Sequence, residues 1–364
     1  MRQIATIFRL GIKEFWSLLR DPIMLVLIVY VFSIAVYPSA TAMPETLNNA
    51  PIAIVDEDDS PLSARITSAF YPPQFVKPTI ISFPEMDAGL DAGDYTFVLV
   101  VPANFQRDVL AGRTPDLQLN IDATRMSQIV MGEINGFVQR YRASAAPPVD
   151  LALRARFNPG LEQFWFGSLM SIIDNVTMLS IILTGAALIR EREHGTIEHL
   201  LVMPVTPTEI MLAKVWSMGA VVLIAVTLSL TFVVRGLLQV PVEGSVALFL
   251  AGAALHLFAT TSMGIFLATL ARSMPQFGML MILFLMPLQM LSGSATPRES
   301  MPEFVQNIML IAPTTHFVEL SQAILFRGAG IDVVWGQFLM LLIIGSVLFT
   351  ISLTRFRKTI SQMA

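Results

Sequence analysis

Four polar side chains interrupt long apolar runs and are the first candidates for chemistry: Asp174, Asn175, Lys214 and His256. An ionisable group surrounded by hydrocarbon is costly, so by default it marks a substrate path, an ion path or a proton relay. Asp174 and Asn175 lie about two turns inside one end of their run, where they can meet a substrate or His256. Hydrogen-bonded glue between helices is the alternative reading for both. Lys214 sits about one turn inside the opposite boundary, from which its stem can snorkel to the surface. His256 is near mid-depth and reads as a packing residue before it reads as a relay. Met279, Met281, Met286 and Met290, with Gln289 among them, can line an adaptable apolar path or fill a core. The substrate path is therefore assigned to Asp174, Asn175, His256, Met286 and Gln289. The acidic run Asp56-Glu57-Asp58-Asp59 offers ligands for a hard cation, but it lacks the alternating spacing of a calcium loop and reads as a solvated turn.

No phosphate loop G-x-x-x-x-G-K-[ST], no G-x-S-x-G elbow and no H-E-x-x-H metal helix occurs in the chain. Work against a gradient would have to draw on ions or on another polypeptide.

The elements that carry these residues are long and apolar. The composition is 54% hydrophobic and 14% charged, with a mean hydropathy of +0.66, which excludes an ordinary soluble domain. Spans are expected at Ile23–Ala42, Ser168–Ile189, Ile210–Val234, Val246–Leu270, Gln276–Leu291 and Gly336–Thr354, each near the ~20 residues that cross a bilayer. Arg2, Arg9, Lys13 and Arg20, then Arg190, Arg192 and Arg272, then Arg355, Arg357 and Lys358 fall on one side. The short loops opposite hold only Arg235, Arg298 and Arg327, so both termini are expected in the cytoplasm.

Residues 1–22 form a cytoplasmic arm in which Ile4, Ile7, Phe8, Phe15, Leu18 and Leu19 recur at helical spacing. Arg2, Arg9, Lys13 and Glu14 lie off that face, as in an interfacial helix. A signal peptide cleaved at Ala40-Thr41-Ala42 is the rival; the apolar run exceeds a normal signal core and favours an uncleaved anchor. Span 23–42 precedes an expected α/β domain at 43–167. Its strands are read at Pro51–Val55, Thr79–Ser82, Tyr95–Val101 and Asp116–Ile121. Its helices are read from Ser60-Pro61 to about Phe70, at Glu85–Asp91, Asn104–Ala111 and Met126–Arg142. Ala143–Pro148 and Arg154–Pro159 read as the return path to the membrane. The absence of cysteine is compatible with exposure outside the cytoplasm.

A five-helix block at 168–354 follows, then a tail at 355–364. Within the block, segment 190–209 is charged and lies between two spans. Thr196–Met203 reads as a short helix ended by Pro204, and Thr206-Pro207-Thr208-Glu209 carries a cap, a proline and a capping-box glutamate that launch the next helix. A helix so bounded at a membrane surface can receive force from a soluble partner. In the outer segment 292–335, Thr296-Pro297-Arg298-Glu299 repeats the cap pattern. Pro313-Thr314-Thr315 precedes a helix at His316–Arg327 closed by Gly328. Such a segment can dip back into the membrane as a lid, or pack plainly against spans.

The run R-E-R-E-H-G-T-I-E-H-L-L-V-M-P-V-T-P-T-E at 190–209, continuing through Ile210–Gly219, resembles the cytoplasmic signature of bacterial ABC-2 type permeases. Leu288-Gln289-Met290-Leu291-Ser292-Gly293 followed by Thr296-Pro297-Arg298-Glu299-Ser300-Met301-Pro302 is similar to that family's outer segment. The resemblance implies an α-helical polytopic protein with six transmembrane helices in the ABC-2 permease fold and an inserted α/β periplasmic domain. It implies a bacterial inner-membrane exporter of drug-like or hydrophobic molecules, working as a dimer with a second permease. Two cytoplasmic ATP-binding subunits would hold ATP and magnesium, leaving this chain a transport subunit with no cofactor of its own. Thr196–Met203 would be the coupling helix, with Glu191, Glu193, Thr196, Glu198, Leu200 and Leu201 meeting the ATP-binding partner. An insert of this size often meets a periplasmic adaptor protein. Two rivals stand beside this reading: an ion-coupled secondary transporter built on Asp174, His256 and Lys214, and a receptor with a periplasmic ligand-binding domain. No inverted repeat supports the first.

Overall fold

The computed structural model describes residues 2–36, 50–68, 70, 75–122, 150–156, 163–193, 205–271, 273–296, 298 and 301–361. It divides into two compact units, one of Met1–Pro38, Leu169–Ala295 and Asn307–Ala364, the other of Ser39–Ser168 and Thr296–Gln306.

Helix α1 (Arg2–Leu19) turns through 84° into α2 (Pro22–Phe32). Asp21 makes the corner. Its backbone is extended, its carboxylate accepts the Met24 N–H at 3.2 Å, and Pro22 occupies the first helical position. The single apolar face expected for α1 is divided in two. Ile4, Phe8, Ile12, Trp16 and Leu19 form an exposed stripe, while Gly11, Glu14 and Leu18 on the next flank are buried. The charged Arg9, Lys13 and Arg20 occupy a third, exposed sector. Glu14 thus leaves the polar face to which hydrophobic spacing had assigned it; its partners, described below, explain why.

In the second unit β1 (Ile52–Asp56), α3 (Pro61–Thr67), β2 (Thr79–Ile80), α4 (Phe83–Ala92), β3 (Phe97–Val101), α5 (Phe105–Leu110), β4 (Asp116–Asp122) and β5 (Asp150–Arg156) follow in sequence. The sheet order is β2-β1-β3-β4-β5, antiparallel only between β3 and β4. Ala53, Val55, Val98 and Val100 pack on Met86 and Leu90 of α4, while Ile54, Leu99 and Val101 pack on Phe105 from the other side. Helices on both faces account for the continuous apolar runs of β1 and β3. The acidic run is a capping turn. The Asp56 carboxylate accepts the N–H groups of Asp58 and Asp59 at 3.1 and 3.0 Å and the Ser63 hydroxyl at 2.6 Å. The Asp58 carboxylate accepts the Gln106 N–H at 3.0 Å, at the start of α5.

One expectation is overturned here. The stretch containing Arg154–Pro159 does not simply return to the membrane: Asp150–Arg156 is a strand, in parallel register with β4 over seven residue pairs. The alternation of Leu151, Leu153 and Ala155 carries that strand, and Arg154 and Arg156 obscured it. The helix expected at Met126–Arg142 and the run Ala143–Pro148 lie outside the described residues.

The remaining helices are α6 (Gln163–Glu193), α7 (Pro207–Leu228, continued as a π-helix over Ser229–Leu237), α8 (Val246–Leu270), α9 (Met274–Met290), α10 (Glu303–Met309), α11 (Pro313–Leu325) and α12 (Ile331–Ser361). Among the described residues four helices, α6, α7 with its continuation, α8 and α12, are long and apolar enough to cross a bilayer. The bent pairs α1–α2 and α10–α11 raise the number to as many as six if each is one span. The fifth expected span, α9, is shorter, with Pro287 inside it. In the outer segment the helix expected to start at Thr296-Pro297 begins at Glu303 instead, after Pro302. Helix α11 starts at Pro313, three residues before the expected His316, and bends 91° from α10. Gly328, at φ +69°, follows it in the left-handed region that glycine tolerates.

Candidate functional site

Among the described residues of the transmembrane unit, a cluster of four charges gathers near the ends of α1 and α6 and the start of α7. Helix α7 starts from a complete capping box: the Thr206 hydroxyl accepts the Glu209 N–H at 3.3 Å, and the Glu209 carboxylate accepts the Thr206 N–H at 2.7 Å. Two turns on, Lys214 is buried. Its ammonium lies 3.1 Å from Glu14 of α1 and 2.8 Å from Glu191 near the end of α6. Lys13 adds a second cation, 3.3 Å from Glu191 and 3.6 Å from Glu14. Lys214 therefore does not snorkel. Desolvating an ammonium costs several kcal/mol, and here two carboxylates from two other helices offset it.

Helix α7 receives α1 at Trp216 as well. The Trp216 indole N–H donates to the Ile7 carbonyl at 3.2 Å, and its ring stacks on Phe8 with centroids 5.3 Å apart. Gly11 permits this approach, since a Cβ there would lie 2.2 Å from the indole. At the corner Arg190 forms an ion pair with Asp21. The Glu193 carboxylate accepts the Met274 N–H at 3.1 Å, at the start of α9. Arg357 of α12 donates to the Thr208 hydroxyl at 3.1 Å. Thus of the residues expected to meet an ATP-binding partner, Glu191 and Glu193 are placed on partners within this chain. Thr196, Glu198, Leu200 and Leu201 lie outside the described residues, as does the helix expected at Thr196–Met203.

The substrate-path candidates are dispersed. His256 of α8 is fully buried, its Nε2 2.8 Å from the Thr177 hydroxyl of α6 and its ring stacked on Phe317 of α11 at 4.1 Å. Beside it the Ser180 hydroxyl donates to Thr260 at 2.6 Å, and Thr260 donates to the His256 carbonyl at 3.1 Å. This is polar packing of three helices. Asp174 lies beside Ser294, whose hydroxyl donates to the Gln289 backbone carbonyl at 3.1 Å, so Asp174 and the Gln289 backbone share a neighbour. Met286 is exposed. Asn175 donates to the Val31 carbonyl at 2.9 Å, and Ser229 to the Phe32 carbonyl at 2.6 Å. These two side chains satisfy the carbonyls freed where α2 ends; for Asn175 this is the helix glue read as its alternative, whereas nothing in the sequence pointed to the role of Ser229. Glu14 was missed as well, and its one local signal was its position three residues after Gly11 and four before Leu18.

Residues 15–354 match the family described as ABC-2 family transporter protein. The chain is 62% identical over 374 residues to the inner membrane transport permease YhhJ of Escherichia coli K12, covering 100% of both chains. It is 30% identical over 366 residues to the probable multidrug ABC transporter permease YbhR of the same organism, covering 96% of this chain and 97% of that one. It is 27% identical over 360 residues to the probable multidrug ABC transporter permease YbhS, covering 93% of each.

Proposed function

The chain belongs to the ABC-2 family of transporter proteins and is a membrane-spanning permease subunit; from that premise we propose that ATP hydrolysis by a separate subunit drives it to export drug-like or hydrophobic molecules across a bacterial inner membrane. In this reading α2, α6, α7, α8, α9 and α12 are the six spans, both termini are cytoplasmic, and the α/β unit stands in the periplasm, where an adaptor protein can meet it. A second permease, identical or related, completes the translocation path.

The observation that supports coupling is the bracing around segment 194–204. The helix ends on both sides of it are joined by the Glu191–Lys214 ion pair, and Glu14 of α1 is paired with the same lysine. A push on the connector therefore reaches α1, α6 and α7 together, and Glu193 extends the connection to α9. The names of YbhR and YbhS support the substrate class.

The test is reconstitution with a cytoplasmic ATP-binding subunit, sought first among proteins encoded next to this chain. Substrate-stimulated ATPase activity is expected from the complex, none from the purified chain, and none from a complex carrying Glu198→Lys at normal membrane levels. Transport by this chain alone in liposomes, driven by a pH gradient, would overturn the reading in favour of ion coupling.

A further inference from the structure

The four charges where α1 meets α6 and α7 sort into two neutral pairs, and the sorting follows the helix boundary. Lys13 and Glu14, adjacent on α1 and 3.6 Å apart, form one. Glu191 of α6 and Lys214 of α7, 2.8 Å apart, form the other. The bonds that tie α1 down are the crossed ones, Lys13–Glu191 at 3.3 Å and Glu14–Lys214 at 3.1 Å. If α1 lifts away, each cation keeps a carboxylate on its own side, so no buried charge is stranded. Had the lysine of α7 faced Glu14 alone, separation would have left an unpaired ammonium in the interior.

The surroundings suit motion. The corner at Asp21 is held twice, by the Met24 N–H and by Arg190, so it stays fixed as a pivot. Beneath the C-terminal third of α1 lies a cleft of about 310 Å³, lined by Lys13, Glu14 and Ser17 of α1 and by Arg190 and Glu191 of α6, so the ion cluster borders open space. The firm contact of α1 is the pad formed by Phe8, Gly11 and Trp216. We propose that α1 is a reversible latch, which docks on α7 and releases from it about the Asp21 corner by exchanging crossed ion pairs for local ones. Released, α1 remains at the bilayer surface through its exposed stripe of Ile4, Phe8, Ile12, Trp16 and Leu19. That the release belongs to a transport cycle rests on the function proposed above; the latch itself does not.

The chain has no native cysteine, so spin labels at Arg9→Cys and Arg355→Cys report the position of α1 by themselves. In nanodiscs the full chain should show two label distances in exchange. Lys13 is half exposed, so Lys13→Gln leaves the fold intact but gives the docked cluster a net negative charge. It should raise the released fraction about tenfold, within the coupling range of contacting charges. Lys13→Gln with Glu14→Gln removes both crossed pairs, Lys13–Glu191 and Glu14–Lys214, and should release α1 at least as far as the single variant. A single label distance under all conditions, or a double variant that stays docked as fully as the parent, would overturn the latch. Adding the ATP-binding subunit and nucleotide should shift the two populations. Two populations that ignore nucleotide would leave the latch standing and count against the coupling reading.

Discussion

Lys214 and the carboxylates around it show why one substitution in a buried ion cluster is not a measure of what the cluster contributes. Lys214→Met leaves Glu14 and Glu191 facing each other with only the half-exposed Lys13 to balance them. A loss of ~3–5 kcal/mol is expected, the usual cost of removing one buried partner. Adding Glu14→Gln and Glu191→Gln should recover most of it, and thermal melts of the purified chain in detergent would measure both. Asp58 makes a second prediction at this scale. Hydrogen bonds from Ser60 and from the α5 backbone hold its carboxyl below the usual range, against a smaller opposing effect of burial. Because the folded value is depressed, the stabilisation is complete above the ordinary aspartate range and fades as pH falls through the lowered value. The protection of the Gln106 amide, measured against its intrinsic exchange rate at each pH, should therefore fall at acid pH, and Asp58→Asn should abolish that pH dependence.

Among elements, α1 depends on the approach at Gly11. Gly11→Leu drives a side chain into the Trp216 indole; overpacking of this kind costs ~1–3 kcal/mol. Amide exchange across residues 7–18 should speed up by about ten- to a hundredfold, while exchange in α8 stays unchanged. The end of α2 is held by Asn175 and Ser229, and replacing both by alanine is expected to cost ~1–3 kcal/mol, read in the same detergent melts. Elements differ in how far the amino-acid sequence exposed them. Helix α7 was legible because its start is local chemistry, Thr206-Pro207-x-Glu209, and α4 and β3 because their apolar pattern is strong. Strand β5 was hidden by two arginines, and its pairing with β4 is non-local. The flank of α1 that docks was hidden too, because hydrophobic spacing scores Glu14 as polar and a lysine on a distant helix leaves no mark beside it. Of the candidate site, the charged ends of α6 and α7 were visible in sequence, but their preference for each other was not.

For the whole molecule, the arrangement of sides is a direct test. Cysteines at Asp58 and Asp116 in the α/β unit and at Glu303 should react with an impermeant thiol reagent in cells stripped of the outer membrane. A cysteine at Ser361, the end of α12, should react only after lysis. Labelling of Ser361→Cys from outside would reverse the proposed orientation. The position of Lys214 along the chain bears, finally, on how the protein is made. Both of its carboxylates precede it in sequence, so by the time α7 leaves the ribosome α1 and α6 are already synthesised. A lysine at the centre of an inserting helix costs ~2.5–3.5 kcal/mol at the insertion machinery, and less nearer its end; Lys214, two turns into α7, meets Glu191, on the helix delivered just before it. Synthesis order thus spares α7 a barrier that its own residues would otherwise raise. The chain with Glu191→Gln should accordingly show slower membrane integration of α7 in a pulse-labelled translation, before any question of transport arises.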